Sequence, residues 1–178
     1  LALGNRTLMA EEGVEVTVLQ GAAERLRAEG ASVMFLAVDG RIAGLLAVSD
    51  PIKESTPEAL AQLRAAGLRL IMATGDGETT AQAVAQALGI TEVHGEVRPQ
   101  DKADLVANLK AQGRRVAMAG DGINDAPALA LADVGIAMGT GTDVAMNSGQ
   151  VTLVKGDLRG IVRARQISEA TVTNMKQN

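Results

Sequence analysis

Three polar segments of the sequence carry side chains that could bind a phosphate group. The string Thr-Gly-Asp-Gly at 74–77 follows the apolar run 68–73, and Gly-Asp-Gly-Ile-Asn-Asp at 120–125 follows the run 116–119. Lys102 lies between them, near the start of a predicted helix. Ligands of open parallel sheets bind beyond the carboxyl ends of the strands, so these segments are candidates for a common site.

The residue types in these segments suit phosphoryl transfer. Thr74 supplies a hydroxyl, Lys102 an ammonium group, and Asp121 and Asp125 supply carboxylates. Carboxylate oxygens are the ligands that Mg²⁺ prefers, and a chain without cysteine offers little to softer metals. The sequence therefore predicts a phosphoryl group held by a hydroxyl and a lysine, with Mg²⁺ on the carboxylates.

Each segment has a simpler interpretation when it is taken alone. Thr-Gly-Asp-Gly is typical of a turn, and an isolated Lys102 is typical of a solvated surface. Two aspartates four residues apart, Asp121 and Asp125, exceed what a turn requires. The string Gly-Thr-Gly-Thr-Asp at 139–143 lacks the lysine of known phosphate loops, so it predicts a tight turn.

The composition excludes several other kinds of site. The 178 residues include no cysteine and a single histidine, His94, so thiolate metal sites are ruled out. Seventeen basic and 21 acidic side chains give a net charge of −4 without a basic block, so no binding to nucleic acid is expected. A hydrophobic content of 47% supports a packed core.

Short apolar runs alternate with amphipathic helices from about residue 50 onward. The predicted helices cover residues 56–66, 79–88, 100–112 and 157–176. The last of them carries an apolar stripe of Ile161, Ala164, Ile167 and Thr171. This alternation predicts an α/β fold with a Rossmann-like parallel sheet that has helices on both faces.

The beginning of the chain has a different pattern. Two β-type runs, 33–38 and 42–48, flank Asp39-Gly40 and predict a β-hairpin. A helix is predicted at 22–29, and alternating valines predict a strand at 14–18.

The pattern changes at Asp50, which is followed by proline. We therefore expect a first domain of residues 1–49, of α+β type, and a second domain of residues 50–178 that holds the parallel sheet.

The order of the motifs resembles the phosphorylation domain of P-type ATPases, within the haloacid dehalogenase superfamily. The shared features are Thr-Gly-Asp at 74–76, a Pro-x-x-Lys string ending at Lys102, and the ten-residue string that starts with Gly-Asp-Gly-Ile-Asn-Asp at Gly120. Asp-Pro-Ile-Lys at 50–53 is similar to that family's hinge between nucleotide-binding and phosphorylation domains.

Other residues are most similar to one branch of that family. Gly4 and Asn5 resemble a Gly-Asn pair in the nucleotide-binding domain of the heavy-metal (P1B) branch. The segments 138–146 and 151–157 are most similar to the bacterial copper exporters of that branch. The resemblance covers essentially the whole chain.

The resemblance implies a role for each matching residue of the second domain. Asp121 is expected to bind Mg²⁺, and Asn124 and Asp125 are expected to organise the phosphate and the metal site, Asp125 as a second ligand. Lys102 is expected to neutralise charge that develops on the phosphoryl group.

The resemblance also implies roles in the loop after residue 73 and in the nucleotide pocket. Thr74 is expected to donate a hydrogen bond to the phosphoryl group, while Gly75 and Asp76 shape its loop. Gly4 and Asn5 are expected to line part of the ATP pocket. Asp50 and Lys53 are expected to act at the hinge and near the nucleotide.

The sequence departs from the family at two points. It contains neither the Asp-Lys-Thr-Gly-Thr string that carries the phosphorylated aspartate nor the Ser-Glu-His-Pro string that holds adenine. In the family both precede the region that matches Leu1, so we expect a fragment that does not become phosphorylated alone. The missing strand is expected to be central, leaving two strand edges exposed.

The function implied is that of part of the cytosolic headpiece of a P1B-type, copper-exporting ATPase that uses Mg²⁺ and ATP. Its expected partners are ATP, the actuator domain, the transmembrane helices and the rest of the nucleotide-binding domain, with Cu⁺ bound outside this chain. Two alternatives are a free-standing phosphatase of the same superfamily and a Mg²⁺- or nucleotide-binding module without turnover.

Overall fold

A computed structural model describes residues 1–121, 123–139, 149–153 and 156–177. The chain divides into two compact units, Leu1–Ile52 with Ile71–Glu96 and Lys53–Leu70 with Val97–Asn178. Both units contain helices and parallel strands, which confirms the predicted α/β class. The boundary predicted at Asp50 lies two residues before Ile52, where the chain first leaves the first unit. The two-domain division stays a prediction.

The predicted elements are largely confirmed, most of the helices to within two residues at each end. The strands are β1 (Ala2–Gly4), β2 (Ser32–Val38), β3 (Arg41–Val48), β4 (Ile71–Ala73), β5 (Glu92–His94), β6 (Ala117–Gly120), β7 (Val134–Met138) and β8 (Val151–Leu153). The helices are α1 (Arg6–Glu11), α2 (Thr17–Ala28), α3 (Thr56–Ala65), α4 (Glu78–Leu88), α5 (Pro99–Ala111), α6 (Ala126–Leu131) and α7 (Arg159–Gln177), with a 3₁₀ helix at Ile123–Asp125.

An antiparallel sheet with the order β1-β2-β3 forms the first part of the first unit. The predicted hairpin is present, and Asp39 and Gly40 both have positive φ, as its tight turn requires. The inward face of β2 packs against α1 and α2 around a core with Phe35 at its centre. The fully buried residues of this core are Met9, Ala23 and Phe35.

The strand predicted at 14–18 is wrong. Val14 and Val16 are buried in this core, but the segment is not paired with a strand, and α2 already begins at Thr17. Val18, the third valine of the alternation, already lies in α2 and is 84% exposed, so the valines do not share one buried face. The alternation also made the predicted start of α2, at residue 22, five residues too late.

The rest of the first unit is a β–α–β unit made of β4, α4 and β5. β4 and β5 are parallel, with Ala73 opposite His94. α4 ends at Gly89, which takes the left-handed conformation that favours glycine. His94 lies exposed at the end of its strand.

The second unit contains the parallel sheet β6-β7-β8. α5 and α6 pack beside it, with Val106, Ala128 and Ala132 forming a buried cluster. Among the described residues, β4 is hydrogen-bonded only to β5 and β6 only to β7. One edge of each of these strands therefore has no strand neighbour in the described part of the chain. The expectation that a missing central strand exposes two edges stays a prediction.

The apolar stripe predicted for the last helix is correct only in its first turns. Val162 of α7 is buried against Ala59 and Leu63 of α3, and Ile161 packs on the same cluster. Ile167, by contrast, is 67% exposed. α3 has 10 residues and α7 has 19, so at 1.5 Å per residue α3 is too short to cover the second half of α7.

Two further observations concern the limits of the described chain. No helix within the described ranges is both long and apolar enough to cross a membrane. The tight turn predicted at 139–143 lies outside the described residues except for Gly139, and so does Gly122.

Candidate functional site

The loop that follows β4 holds Thr74 in a fixed arrangement. The Thr74 backbone N–H donates to the carbonyl of His94 at 3.0 Å, which ties the loop to the end of β5. The Thr74 hydroxyl donates to Oδ2 of Asp76 at 2.9 Å and accepts from the Asp76 backbone N–H at 3.1 Å. Two residues predicted for the site are thus joined directly, and the exposed Gly75 forms the turn between them.

The carboxylate of Asp76 has a second partner that the sequence did not suggest. The hydroxyl of Ser32, the first residue of β2, donates to Oδ1 of Asp76. The carbonyl of Asp76 accepts from the backbone N–H of Glu96 at 2.7 Å. Both the side chain and the backbone of Asp76 are therefore held in place.

A close ion pair joins two of the residues predicted in the second unit. Nζ of Lys102 lies 2.7 Å from Oδ1 of Asp125, and their side chains are only 15% and 9% exposed. Lys102 stands in the first turns of α5, which starts at Pro99 and is capped by a bond from the Arg98 N–H to Asp101. The pair places a positive charge at the carboxyl end of β6.

Gly120, the last residue of β6, leaves the space that the carboxyl group of Asp125 occupies. A Cβ added to Gly120 would lie 2.6 Å from Oδ2 and 2.7 Å from Cγ of Asp125. No side chain larger than hydrogen fits there while Asp125 keeps its position beside Lys102.

We expect Gly120→Ala to destabilise the protein by about 1–3 kcal/mol, because the added methyl group must displace Asp125. The free energy of unfolding in urea measures the effect. Gly44→Ala is the matched control, since Gly44 also lies in a strand and its added Cβ meets no atom within 4 Å. Equal stability of the two variants would show that Asp125 can move without cost.

Asp121 and Asn124 are exposed next to this ion pair in the chain. Asp121 directly follows β6, and Asn124 lies in the 3₁₀ helix that ends at the buried Asp125. Within the described ranges no group of three or more acidic, histidine or cysteine side chains is placed to hold a metal.

The start of β6 is fixed by Asp133, the residue before β7. Oδ2 of Asp133 accepts from the backbone N–H of Val116 at 2.9 Å, and the Asp133 N–H donates to the Val116 carbonyl. This bond from Val116, helped by the charges of Lys110 and Arg115, lowers the pKa of Asp133 below its ordinary value. The carboxylate therefore stays ionised and anchors the strand that presents Asp121.

Gly4 and Asn5 have local structural roles in the first unit. Oδ1 of Asn5 accepts from the Leu8 N–H at 3.0 Å and caps the amino end of α1. A Cβ added to Gly4 would lie 2.4 Å from Cδ2 of Leu8, so glycine allows the helix to pack on β1.

The segment after the predicted boundary is tied to the start of α7. Nζ of Lys53 donates to the Gly156 carbonyl at 2.9 Å, and the Ser55 hydroxyl donates to Asp157 at 3.2 Å. The bonds from the Arg159 side chain and backbone hold the pKa of Asp157 well below its usual range. Asp50 itself is exposed in the connection that follows β3.

The structure therefore joins Thr74 with Asp76 in one unit, and Lys102 with Asp125 in the other. Sequence reasoning missed Ser32, which no motif distinguishes from an ordinary residue at the start of a strand. It quoted Gly120 within a motif but gave it no role. The signal that could have found Gly120 is its place at the end of an apolar run, because a glycine in a strand often marks a point where another group approaches the backbone closely.

Comparison with known proteins gives a consistent result. A family model described as haloacid dehalogenase-like hydrolase matches residues 1–133. The chain is 56% identical over its full length to a copper-exporting P-type ATPase of Legionella pneumophila, of which it covers 24%. It is 53% identical over its full length to a silver exporting P-type ATPase of Salmonella typhimurium, of which it covers 22%.

The fold is also similar to that of a solved protein. The structure of a zinc-transporting PIB-type ATPase in the E2.Pi state matches 92% of this chain and 27% of that chain, with a TM-score of 0.76 and 35% identity. The chain thus spans about a quarter of the length of the relatives it matches.

Proposed function

The chain belongs to the haloacid dehalogenase-like hydrolase family, and we propose that it is part of the ATP-binding and phosphorylation headpiece of a P1B-type, metal-exporting ATPase. The observation that carries this proposal is the buried pair of Lys102 and Asp125. The exposed Asp121, which directly follows β6, precedes Asp125 by four residues. The pair occurs in a chain that aligns over its full length with copper- and silver-exporting P-type ATPases.

The proposed transfer uses the positive charge of Lys102. The Lys102 side chain is only 15% exposed, so its ammonium group acts on a nearby phosphoryl group more strongly than it would in water. Asp125 holds this ammonium group in one place, so little reorganisation is needed as charge develops on the phosphoryl oxygens. Asn124 is proposed to help orient the phosphate.

We propose Asp121 as a direct ligand of Mg²⁺ and Asp125 as its second carboxylate. When bound, Mg²⁺ supplies charge neutralisation for the phosphate oxygens. The donor set fits, because both residues offer the hard oxygen atoms that this ion selects. Asp125 then has two tasks, since it also holds Lys102.

In the first unit, we propose that the Thr74 hydroxyl turns its single proton from Asp76 to the transferred phosphoryl group when that group is present, in the loop shaped by Gly75 and Asp76. Gly4 and Asn5 are proposed to border the ATP pocket. Their capping and packing roles are compatible with this, since a helix terminus held rigidly can present backbone groups to a ligand.

The segment from Asp50 to Lys53 is proposed as the hinge between the nucleotide-binding domain, 1–49, and the phosphorylation domain, 50–178. Its Lys53 is held by the Gly156 carbonyl, which supports a mechanical role at the hinge. We also propose that Lys53 lies near the bound nucleotide.

In the complete protein, we propose that this part lies on the cytosolic face of a membrane and works with an actuator domain, transmembrane helices and the rest of the nucleotide-binding domain. The exported ion is proposed to be Cu⁺, bound outside this chain. The relatives are named for copper, silver and zinc, and the choice of Cu⁺ follows the similarity of segments 138–146 and 151–157 to bacterial copper exporters.

The experiment that tests the proposal exchanges this chain for the matching segment of the Legionella pneumophila copper-exporting ATPase. We expect copper-stimulated phosphoenzyme formation from radiolabelled ATP within about tenfold of the parent, because the segments are 56% identical. The heat-induced unfolding of the chimaera serves as the control for folding. A folded chimaera that forms no phosphoenzyme contradicts the proposal and favours a binding module without turnover. Release of phosphate from simple phosphate esters by the 178-residue chain alone also contradicts it and favours a free-standing phosphatase.

A further inference from the structure

Ser32 takes part in a network of hydroxyl and carboxylate groups around the Thr74 loop. One oxygen of the Asp76 carboxylate accepts from Ser32, and the other accepts from Thr74 at 2.9 Å. The Thr74 hydroxyl oxygen in turn accepts from the Asp76 backbone N–H. The orientation of Thr74 and that of Ser32 are therefore linked through a single carboxylate.

The end of β2 that carries Ser32 is itself firmly held. The hydroxyl of Thr80, which is 3% exposed, donates to the carbonyl of Ala31 at 2.8 Å. Ala31 is buried as well, so the backbone next to Ser32 is fixed to α4, the helix that follows the Thr74 loop. The backbone that carries Ser32 is therefore held in place while the Ser32 hydroxyl donates to Asp76.

Asp76 by itself is poorly restrained by packing. It is exposed and lies between Gly75 and Gly77, neither of which has a side chain that could limit its rotamers. The hydrogen bond from Ser32 selects one rotamer of Asp76, and the carboxylate in this rotamer holds the Thr74 side chain in one χ1 rotamer. In the proposed function, the hydroxyl proton then turns about the Cβ–Oγ1 bond from Asp76 to the phosphoryl oxygen. Pre-set orientation of a group that meets the reacting phosphoryl saves free energy in the transition state.

We propose that Ser32 is a positioning residue for Thr74. The proposal rests on the proposed function, in which Thr74 donates a hydrogen bond to the transferred phosphoryl group. Ser32 itself has no contact with the phosphoryl group. It acts through Asp76, and it links the segment that carries the hairpin to the loop that carries Thr74.

The kinetic test uses a full-length ATPase that carries this chain. We expect Ser32→Ala to lower the rate of phosphoenzyme formation about 3- to 10-fold, the cost of one hydrogen bond, with the KM for ATP changed less than about twofold. Ser32→Thr keeps the hydroxyl and should restore most of the rate.

Thr79→Val is the matched control for packing. Thr79 also carries a hydroxyl that links two elements of the first unit, but this hydroxyl donates to Glu24 of α2 at 3.2 Å and takes no part in the bonds between Ser32, Asp76 and Thr74. We expect this variant to phosphorylate at the parent rate. A loss of rate in Thr79→Val equal to that in Ser32→Ala would overturn the proposal, because general loosening would explain both.

A second measurement separates this proposal from the proposed function. Three-bond NMR couplings to the Thr74 methyl carbon in the 178-residue chain report its χ1 rotamer. We expect one rotamer in the parent and in Thr79→Val, and averaged couplings in Ser32→Ala. Unchanged couplings in Ser32→Ala overturn the positioning role. If the couplings change as expected but Thr74→Val phosphorylates normally, the role of Thr74 in transfer is overturned, and the positioning proposal with it.

Discussion

Replacing Asp121 by asparagine lowers phosphoenzyme formation by about 100-fold or more in a full-length ATPase that carries this chain. The substitution removes a negative charge from the proposed Mg²⁺ ligand and leaves its size unchanged, so the folded structure is retained while affinity for the ion falls. Loss of one group that stabilises transition-state charge typically costs a factor of this size. The rate of labelling by radiolabelled ATP, measured over a series of Mg²⁺ concentrations, provides the test.

Asp104→Asn is the control for this experiment, because Asp104 is an exposed carboxylate on α5 whose side chain accepts a hydrogen bond from Gln100 at 3.0 Å. We expect its rate to equal that of the parent. Near-normal labelling of Asp121→Asn at ordinary Mg²⁺ would count against Asp121 as a ligand. A rate that recovers at high Mg²⁺ supports it.

Lys102→Ala is the second substitution with a large expected effect. We expect the rate of phosphoryl transfer to fall about 100- to 1,000-fold, with a much smaller change in nucleotide affinity. The lysine is proposed to act on charge that develops during transfer, and this charge is absent from bound ATP. Single-turnover phosphorylation combined with a binding titration of an ATP analogue separates the two quantities.

The same substitution is expected to destabilise the fold. Removing one partner of a buried ion pair typically costs about 3–5 kcal/mol, so the unfolding of each variant must be measured as well. Lys110→Ala is the control, since Lys110 lies on the same helix and pairs with Asp133 at 3.6 Å in a more exposed setting. If nucleotide affinity alone fell in Lys102→Ala, the lysine would belong to the binding pocket instead.

The sequence predicted those elements whose formation depends on local chemistry. The hairpin around Asp39-Gly40 was predicted because its turn demands positive φ, and α5 because residues 100–112 have an amphipathic pattern. The strand predicted at 14–18 failed because a spacing of valines does not report strand pairing, and Val18 is an exposed residue of α2. Ile167 was predicted to lie on the apolar stripe but is exposed, because α3 is too short to cover the part of α7 that carries it.

The residues proposed for the site come from the sequence, whereas the contacts between them come only from the structure. Lys102 and Asp125 were both predicted, yet their ion pair depends on how α5 packs against the 3₁₀ helix, 23 residues further along the chain. The bond from Ser32 to Asp76 joins positions 44 residues apart and leaves no trace in either local sequence. Contacts of this kind follow from tertiary packing, which motif spacing does not encode.

The central claim is that a divalent cation on Asp121 and a phosphoryl group beside Lys102 share one site. Anomalous diffraction tests it most directly, from crystals of a full-length ATPase that carries this chain, grown with Mn²⁺ in place of Mg²⁺ and a metal-fluoride mimic of phosphate. We expect an anomalous peak about 2.1 Å from a carboxylate oxygen of Asp121, with the mimic within hydrogen-bond distance of Nζ of Lys102. A manganese peak away from Asp121, or a mimic bound out of reach of Lys102, would contradict it.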